Sequence, residues 1–401
     1  MLELEDALQR ILAEIQPLAT ESIPLNEALD HCLAEPVRAP LDLPPFDNSA
    51  MDGYAVRAPD LVQCSAQHPV SLQRIGAVAA GEKFEGEVAA GACVRIFTGS
   101  PLPRGADAVV MQEDTQADPS DPNRVLVVDT VKPWENIRLQ GGDVRKGALL
   151  LAPGRFLTPG QLSLLAALGI QHVTCGRRPL IGLLSTGSEL REPGLSLAPG
   201  QIYESNRVGL AGLVRRAGGL PRLFPLLADD PKATEAAIGN SLAECDAVIT
   251  SGGVSVGEFD FVKGALTALG GTVNFWQVAV KPGKPFLFGH WNSKPLFGLP
   301  GNPVSALVTC FLLVRPALLR MQGAAHLAPP ACSGRLAQSL ANPGARRHFA
   351  RVKVDAAGKV ESAGGQASHH LGAMVQANGL VDVPPKTVLN AGTDVSVMLW
   401  Q

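Results

Sequence analysis

The chain lacks any pattern of paired cysteines. Zinc sites of the ribbon type need CxxC pairs, and disulfide-stabilised domains are short and dense in cysteine. Neither class fits a chain of 401 residues with seven scattered cysteines and no CxxC pair. A protein of the reducing cytoplasm is the better expectation. The cysteines are Cys32, Cys64, Cys93, Cys175, Cys245, Cys310 and Cys332.

Positive charge is also in short supply. The chain has 34 lysines and arginines against 37 acidic residues, which gives a net charge of −3. Because proteins that bind nucleic acid need a basic surplus facing the phosphates, we expect no nucleic-acid partner.

Long hydrophobic runs are absent as well. The longest, from about Val304 to Val314, is broken by Arg315, and it is shorter than the roughly 20 apolar residues that cross a bilayer. The N-terminus carries an amphipathic helix pattern where a signal peptide would be apolar. We therefore expect a cytosolic protein with no membrane association. The apolar residues of this pattern are Leu4, Ala7, Leu8, Ile11, Leu12 and Ile15.

What the chain does contain is enough length and apolar content for several cores. A hydrophobic share of 46% with 42 glycines and 32 prolines is typical of a globular protein with many turns. We predict an α/β multidomain protein. Its parts are a helical and extended linking domain (1–45 and 146–176), an inserted β-rich domain (46–145), an α/β domain (177–327) and a C-terminal β domain (328–401). We expect two short helices and an extended segment within residues 1–45.

The α/β part alternates between strand and helix patterns, which predicts a parallel sheet flanked by helices. Ligands bind such sheets at the carboxyl ends of the strands. The expected strands are 179–185, 220–227, 246–250, 272–280 and 294–299. The expected helices are 206–217, 230–243, 259–269 and 303–320.

Three turns follow these strands and carry the chemistry. Ser251-Gly-Gly-Val-Ser-Val-Gly257 lets backbone amides approach an anion, with Ser251 and Ser255 as hydroxyl donors. Lys281-Pro-Gly-Lys-Pro285 aims two ammonium groups from a proline-fixed turn. Gly298-Leu-Pro-Gly-Asn-Pro303 is the third turn. Taken alone, a Gly-Gly pair is more often a tight structural turn, and two lysines are more often solvated.

Several acids lie in loops or at element ends, where carboxylates can hold magnesium together with phosphate oxygens. Asp230 precedes Pro231 and is better explained as a helix N-cap. No serine or cysteine has a histidine at a spacing that indicates nucleophilic catalysis, and the adjacent His369 and His370 are more typical of surface residues than of a metal site. The acids are Asp52, Asp143, Glu189, Asp229, Asp230 and Asp260.

Taken together, the motifs resemble those of the molybdopterin molybdenumtransferases, the molybdenum-insertion enzymes related to the catalytic domain of gephyrin. They occur in order along the chain from residue 45 to 305, with weaker similarity towards both termini. The matching segments are 45–55, 97–101, 141–143, 185–190, 251–257, 281–285 and 298–305.

The resemblance implies an elongated four-domain chain that forms a homodimer, with the α/β domain of one subunit facing the β domain of the other. It implies adenylylated molybdopterin and molybdate as substrates, AMP and molybdenum cofactor as products, and magnesium as an assisting ion. A molybdopterin adenylyltransferase and molybdoenzyme apoproteins are the implied protein partners.

The resemblance also implies the roles of individual residues. The catalytic positions are Asp52, Thr98, Asp143, Glu189, Asp229, Asp260 and Lys281, of which Asp229 and Asp260 hold the metal. The substrate-binding positions are Ser251, Gly252, Gly253, Ser255, Lys284, Pro285, Pro300, Gly301, Asn302, Ser305, Arg351 and Ser368.

Two positions depart from the family pattern. Gln277 stands where the family often has a lysine, and Ala367 where it often has glycine. Two alternatives stay open. One is adenylylation of molybdopterin by ATP, against which the additional domains argue. The other is a gephyrin-like scaffold without catalysis, against which the retained acids argue.

Overall fold

The computed structural model describes residues 1–253 and 261–400. Ser255 and Asp260 lie outside this part of the chain. The chain divides into two compact units. The first comprises residues 1–35, 153–159 and 172–401, and the second comprises 36–152 and 160–171. The four domain boundaries expected from the sequence stay a prediction.

A six-stranded sheet forms the centre of the first unit. Four neighbouring strands are parallel, and the two remaining strands, at one side of the sheet, join it through antiparallel pairings. In spatial order the strands are Leu220–Leu223, Leu180–Ser185, Ala247–Ser251, Lys294–Leu299, Pro285–Trp291 and Thr272–Gln277. The expectation of a purely parallel sheet was therefore wrong at this edge. The Pro285–Trp291 strand was missed because a short loop joins it to the next strand as a hairpin, and strand-helix alternation does not signal a hairpin.

Helices cover this sheet and bury apolar faces against it. Ala7 and Ile11 of the N-terminal helix, with Ile15 just after it, belong to the same core as Ile249 and Phe297 of the sheet. A second short helix expected before residue 45 is absent. In its place are the strand Thr20–Pro24, paired with His172–Gly176, and a single 3-10 turn, Leu25–Glu27. The α-helices of the described chain are Leu4–Glu14, Pro159–Ala167, Asn206–Arg216, Pro231–Glu244, Phe261–Ala268, Pro303–Thr309, Arg315–Met321 and Leu371–Gln376.

The segment Pro303–Met321 is continuously helical, because a π-helical stretch, Cys310–Val314, joins its two α-helices. In the described part of the chain it is the one helix long and apolar enough to cross a membrane, and 83% of it is buried inside the protein. The expectation that this apolar segment is too short to cross a bilayer was therefore wrong, since the whole helix has 19 residues. Its burial identifies it as a core helix of the first unit.

The C-terminal part of the first unit is a second sheet. Five strands form a closed ring, since Arg347–Val354 pairs with both Lys359–Ser362 and Gly379–Val383. The short strand Val280–Lys281 adds to Arg347–Val354 in parallel, which places the lysine turn beside this sheet. The other ring strands are Ala331–Leu336 and Asp394–Leu399. Two-stranded pairs complete the unit: Leu190–Arg191 with Ile202–Tyr203, and Leu340–Asn342 with Thr387–Leu389.

The second unit contains its own six-stranded sheet. In spatial order its strands are Ala108–Met111, Gly53–Val56, Ala92–Ile96, Val70–Val78, Arg124–Val127 and Thr115–Ala117. Buried valines, alanines and leucines from these strands form two apolar clusters. Two short pairs, Asn48–Ser49 with Ile137–Arg138 and Val37–Arg38 with Leu149–Leu151, complete the strands. The β-rich character expected for this region is observed.

Candidate functional site

The carboxyl ends of three parallel strands of the first unit lie side by side. Below, this edge of the sheet means the side where these strand ends lie, not the lateral side with the antiparallel strands. Ser185 pairs in register with Ser251, and Ser251 with Leu299. A cavity of about 590 Å³ opens at this edge. We call it the strand-end cavity. Its lining includes Glu189, Tyr203, Glu204, Asn206, Asn302 and His369. Its position is the usual ligand position of open α/β sheets.

One amide connects two of the predicted turns. Asn206 Nδ2 donates to Ser251 Oγ and to the Gly301 carbonyl, each at 2.7 Å. Ser251 Oγ in turn donates to the Pro300 carbonyl at 3.2 Å. The Ser251 hydroxyl is thus committed to the protein and supports the turn, whereas the sequence analysis had it donating to a ligand. Asn206 was missed as a site residue, although it is the first residue of a predicted helix.

The glycines after Ser251 are required by the backbone. Gly252 and Gly253 have φ of +88° and +66°, in the left-handed region. A Cβ on Gly252 would lie 2.6 Å from the Thr186 carbonyl oxygen, closer than any real contact. Only glycine therefore allows this strand end to approach its neighbour so closely.

A buried ion network holds one wall of the strand-end cavity. Glu204 accepts from Ser185 Oγ at 3.1 Å and from the Arg207 backbone N–H at 2.8 Å. The Arg207 guanidinium also pairs with Glu204, and with Glu192 at 2.7 Å. Since Glu204 and Arg207 are both almost fully buried, the charge of each must be compensated by the opposite charge of the other. Neither residue was predicted from the sequence as part of the site.

Glu189 and Asp229 come from loops that follow neighbouring strands. A bridge between Thr186 and Leu227 joins the two loops. Asp229 Oδ2 accepts from the Ser188 N–H, and the Asp229 N–H donates to Ser188 Oγ, both at 3.1 Å. The structure therefore brings these two predicted acids to the same edge of the sheet. Asp230 caps its helix as predicted, accepting from the Ala233 N–H.

The donor set at this edge suits a hard cation. In the described residues no group of three or more histidine, cysteine or acidic side chains could hold a metal. Magnesium does not need one, since it commonly binds one or two carboxylates plus substrate phosphate oxygens. Asp229 is exposed, and its Oδ1 accepts no hydrogen bond from the described residues. The residues present therefore fit the ion.

The lysine turn is fixed against a buried helix. Gly283 has φ +110°, and a Cβ there would lie 2.3 Å from Thr309 Cγ2. Lys281 and Lys284 line a second cavity of about 370 Å³, which we call the lysine cavity. Its other lining residues are Met1, Gly344, Ala345 and Arg346. Arg346 is a third cation that the sequence analysis missed.

Arg351 is fully buried, yet its guanidinium is only partly bonded. Its Nη2 donates to the Gly365 carbonyl at 2.6 Å and to the Ala367 carbonyl at 3.2 Å. Its Nε and Nη1 have no partner among the described residues. Burial lowers the Arg351 pKa from its usual value. An anion beside these two nitrogens would satisfy them.

The loop that binds Arg351 is tied to the third turn. Asn302 Nδ2 donates to Ser368 Oγ at 3.1 Å, and the Val304 N–H donates to the Ser368 carbonyl at 3.2 Å. Ser305 is buried one position further along the same helix. The exposed rings of His369 and His370 meet edge to face. Two of the predicted binding residues, Ser368 and Asn302, are thus hydrogen-bonded to each other. His369 lines the strand-end cavity.

The second unit holds the remaining predicted acids. Asp52 Oδ1 accepts from the Thr98 N–H at 2.7 Å and from Thr98 Oγ1 at 2.8 Å, and these bonds lower the Asp52 pKa. Gly53 beside it has no room for a side chain, because a Cβ would lie 1.9 Å from the Val110 carbonyl oxygen. Asp52 and Thr98, predicted from separate motifs, therefore form one pair.

Asp143 belongs to a separate turn of the second unit. Its N–H donates to the Leu43 carbonyl at 3.0 Å, and the nearby Gly141, with φ +67°, bonds to the Pro44 carbonyl. Asp143 has no side-chain hydrogen bond to Asp52 or Thr98.

Known proteins match the chain along its whole length. Three family descriptions cover it in order: "MoeA N-terminal region (domain I and II)" at residues 2–169, "Probable molybdopterin binding domain" at 182–320, and "MoeA C-terminal region (domain IV)" at 333–400.

Individual relatives agree. The chain is 42% identical to the molybdopterin molybdenumtransferase of Haemophilus influenzae over 94% of this chain and 93% of that protein. It is 40% identical to molybdopterin molybdenumtransferase 2 of Mycobacterium tuberculosis over 97% of both. The crystal structure of the molybdopterin biosynthesis moeA protein from Pyrococcus horikoshii superposes with a TM-score of 0.85 at 31% identity, covering both chains fully. The chain therefore belongs to the molybdopterin molybdenumtransferase family.

Proposed function

We propose that this protein inserts molybdenum from molybdate into adenylylated molybdopterin, with release of AMP and formation of molybdenum cofactor. The observation that carries the proposal is the buried Arg351, whose Nε and Nη1 have no partner among the described residues. A buried cation with free donors costs stability unless an anion occupies the space beside it. An oxyanion such as molybdate is a suitable occupant.

The strand-end cavity suits the nucleotide end of the substrate. Its volume of about 590 Å³ is within the usual range for small-molecule sites. The left-handed Gly252 and Gly253 leave the backbone open to a phosphate. Ser251 and Asn206 then keep the adjoining Pro300–Gly301 turn in place.

Catalysis by these residues is electrostatic. Lys281 and Lys284 supply positive charge to the oxyanion, and Arg351 directs two fixed N–H donors at it. Ser368, held by Asn302, lies beside the loop that binds Arg351. These groups orient the two substrates and stabilise the charge that develops when the adenylyl link breaks. No covalent enzyme intermediate is needed.

Magnesium is proposed at Asp229 together with Asp260. When bound, the ion would offset the charge of the adenylyl phosphate. Asp229 and Glu189 would orient the phosphate end of the substrate from the loops joined by the Thr186–Leu227 bridge.

We also propose an elongated, cytoplasmic homodimer, as the family resemblance implies. The Asp52–Thr98 pair of one subunit would then serve the strand-end cavity of its partner. A molybdopterin adenylyltransferase would deliver the substrate, and molybdoenzyme apoproteins would receive the product.

The test is molybdate-dependent release of AMP from adenylylated molybdopterin. We expect release by the wild type and a loss of about 100-fold in rate for Arg351→Met, the usual cost of removing one fixed donor to a developing charge. Arg335→Met is the matched control, because Arg335 is exposed and, among the described residues, its side chain pairs only with Asp394. It should retain full activity.

Two results would contradict the proposal. Pyrophosphate release from ATP and molybdopterin, without AMP release, would identify an adenylyltransferase. Absence of either activity, together with tight binding of a receptor-type peptide, would identify a scaffold.

A further inference from the structure

One buried oxygen in the wall of the strand-end cavity has no hydrogen-bond partner in the described chain. Asn206 is the first residue of the helix Asn206–Arg216 and is only 9% exposed. Its Oδ1 is buried and accepts no hydrogen bond from the described residues. Asn206 lines the strand-end cavity, and so do Ser251 and Gly301, the two residues to which its Nδ2 donates. The amide that carries the unpartnered oxygen is therefore held within the cavity wall.

The orientation of this amide follows from its partners. A backbone carbonyl only accepts hydrogen bonds, so the side of the amide that faces the Gly301 carbonyl must be the NH2 group. The Ser251 hydroxyl donates its proton to the Pro300 carbonyl, and its oxygen accepts from Asn206. A flipped amide would place Oδ1 against the Gly301 oxygen, with no proton between the two acceptors. Oδ1 is therefore the atom left without a partner, and the partner it needs is a hydrogen-bond donor.

A second unpartnered group lines the same cavity. Thr186 is a lining residue that is 6% exposed, and its hydroxyl is buried without a partner among the described residues. The Thr186 N–H donates to the Ser251 carbonyl at 3.1 Å, and Asn206 bonds to the Ser251 hydroxyl. Because both residues are bonded to Ser251, their unpartnered oxygens come from neighbouring positions in the cavity wall.

The rest of the lining offers acceptors and no strong cation. Glu189 and Glu204 contribute carboxylates, and no lysine or arginine of the described chain lines the cavity. The Tyr203 hydroxyl already donates to the Leu195 carbonyl at 2.8 Å. Native proteins seldom leave a buried acceptor without a partner, because its lost hydration is not replaced. A ligand group next to Asn206 is therefore expected to donate hydrogen bonds, as hydroxyl and amine groups do.

We propose that Asn206 is a specificity-determining residue, which accepts a hydrogen bond through Oδ1 from a ribose hydroxyl of the adenylyl group. This inference rests on the proposed function, which places the nucleotide end of the substrate in the strand-end cavity. A ribose brings two hydroxyl donors, and in open α/β sheets a side-chain oxygen commonly binds a ribose hydroxyl near the strand ends. The Thr186 hydroxyl bonds to the second one. Asn206 thereby selects ribonucleotides over deoxyribonucleotides.

The first experiment compares nucleotides on the full-length wild-type protein. Calorimetry measures the dissociation constants of AMP, 2′-deoxy-AMP, 3′-deoxy-AMP and IMP with magnesium chloride present. We expect at least one deoxynucleotide to bind about tenfold more weakly than AMP, because the loss of its hydroxyl leaves a buried acceptor unpaired. IMP, which lacks only the adenine amine, should bind as AMP does.

Two results of this comparison would overturn the proposal. One is equal affinity for AMP and both deoxynucleotides. The other is weaker binding of IMP alone, which would assign the Asn206 oxygen to the amine of the base.

The second experiment separates recognition of the ribose from support of the turn. Asn206→Ala removes Oδ1 together with the bonds of Nδ2, whereas Ser251→Ala removes the hydroxyl between Asn206 and Pro300 and leaves Oδ1 in place. We expect the preference for AMP over the deoxynucleotide to disappear in Asn206→Ala and to persist in Ser251→Ala. An unchanged preference in Asn206→Ala would refute the role of Oδ1, because a purely structural side chain does not set this ratio. The wild-type comparison decides the question if Asn206→Ala does not fold.

Molybdate-dependent release of AMP is measured independently. Release by the wild type, together with equal binding of AMP and both deoxynucleotides, would remove this inference and leave the proposed function intact. A wild type that binds no AMP would contradict the position proposed for the nucleotide, and the role of Asn206 with it.

Discussion

At the residue scale, the polar side chains of the first unit divide into those with complete sets of partners and those without. Glu204 and Arg207 bond to neighbouring loops and shape the strand-end cavity, whereas Asn206 bonds through Nδ2 but has no partner for its Oδ1 among the described residues. Arg351 is likewise buried with unpartnered nitrogens, as far as the described residues extend. Since unsatisfied buried groups lower stability, the second set marks where ligands are expected.

Asp246 shows how a structural acid at the opposite end of the same sheet differs from these. Its carboxylate accepts two bonds from Arg177, at 2.7 and 2.9 Å, and one from the Leu180 N–H at 2.8 Å. Burial alone would raise the Asp246 pKa, but these three bonds outweigh it and lower the pKa from its usual 3.8. Asp246 therefore stabilises the fold in its charged form.

The pH dependence of the free energy of unfolding follows from the lowered pKa of Asp246. A lowered folded-state pKa contributes stability that is complete above the unfolded value and is lost as pH falls through the folded value. We expect Asp246→Asn to cost about 1 to 2 kcal/mol in the free energy of unfolding near pH 7. The difference from wild type should shrink below about pH 4. Urea unfolding between pH 2.5 and 7 measures both.

Asp394→Asn is the control for this prediction, because Asp394 pairs with Arg335 on the exposed surface, where such pairs contribute little. A cost for Asp246→Asn that stayed constant across the whole pH range would show that the charge of Asp246 is not what stabilises the fold.

At the scale of elements, the site depends on turns that accept only glycine. Gly283 combines a φ of +110° with contact to the Pro303–Thr309 helix, whereas Gly270 has φ +80° and no atom within 4 Å of an added Cβ. Comparing substitutions at Gly283 and Gly270 therefore separates the effect of backbone strain from that of steric contact. Strain acts at both positions, and the clash only at Gly283.

We expect Gly270→Ala to cost about 1 kcal/mol in the free energy of unfolding and Gly283→Ala about 2 to 4 kcal/mol, because overpacking adds to the strain. Thr309→Ser removes the clashing methyl group, so it should recover part of the Gly283→Ala loss. Chemical denaturation of the four variants, including the double one, gives the coupling energy. Purely additive losses would show that Gly283 does not act through Thr309.

At the scale of the whole molecule, the predicted site residues lie in both compact units. Glu189, Asp229, Lys281 and Arg351 belong to the first, and Asp52 with Thr98 to the second. Under the proposed homodimer, each active site takes the first set from one subunit and the second from its partner. Shared sites of this kind have a testable consequence.

Mixing two inactive variants should restore activity. Asp52→Asn and Arg351→Met each damage both sites of a homodimer. A mixed dimer carries both defects in one site and none in the other. With random reassociation after mild dissociation, half of the dimers are mixed, so we expect about a quarter of wild-type AMP release.

Sedimentation of the wild type should give twice the 41.9 kDa chain mass. Mixing Arg351→Met with Lys284→Met, two changes in the same unit, is the control and should restore nothing. A mixture of Asp52→Asn and Arg351→Met that stayed inactive would place all site residues within one subunit.

Much of the fold followed from local pattern. The N-terminal helix, the helix after Asp230 and the strands leading to Ser185, Ser251 and Leu299 were predicted close to their observed bounds. Periodicity and capping are encoded within a few residues, so the sequence reveals them directly. The antiparallel strand Pro285–Trp291 was missed because the alternation of strand and helix patterns does not signal a hairpin.

The sequence by itself determined which chemistry is available: glycines where the backbone must turn left-handed, lysines in a proline-fixed turn, acids in loops, and the family they indicate. Only the tertiary structure decided which of these groups are free to act. It committed the Ser251 hydroxyl to Pro300 and left two nitrogens of Arg351 and Oδ1 of Asn206 buried without partners in the described chain. The physical reason is that a side chain's availability depends on its burial and its bonding partners. Such a partner can lie 95 residues away, as Gly301 does from Asn206, and no local pattern encodes it.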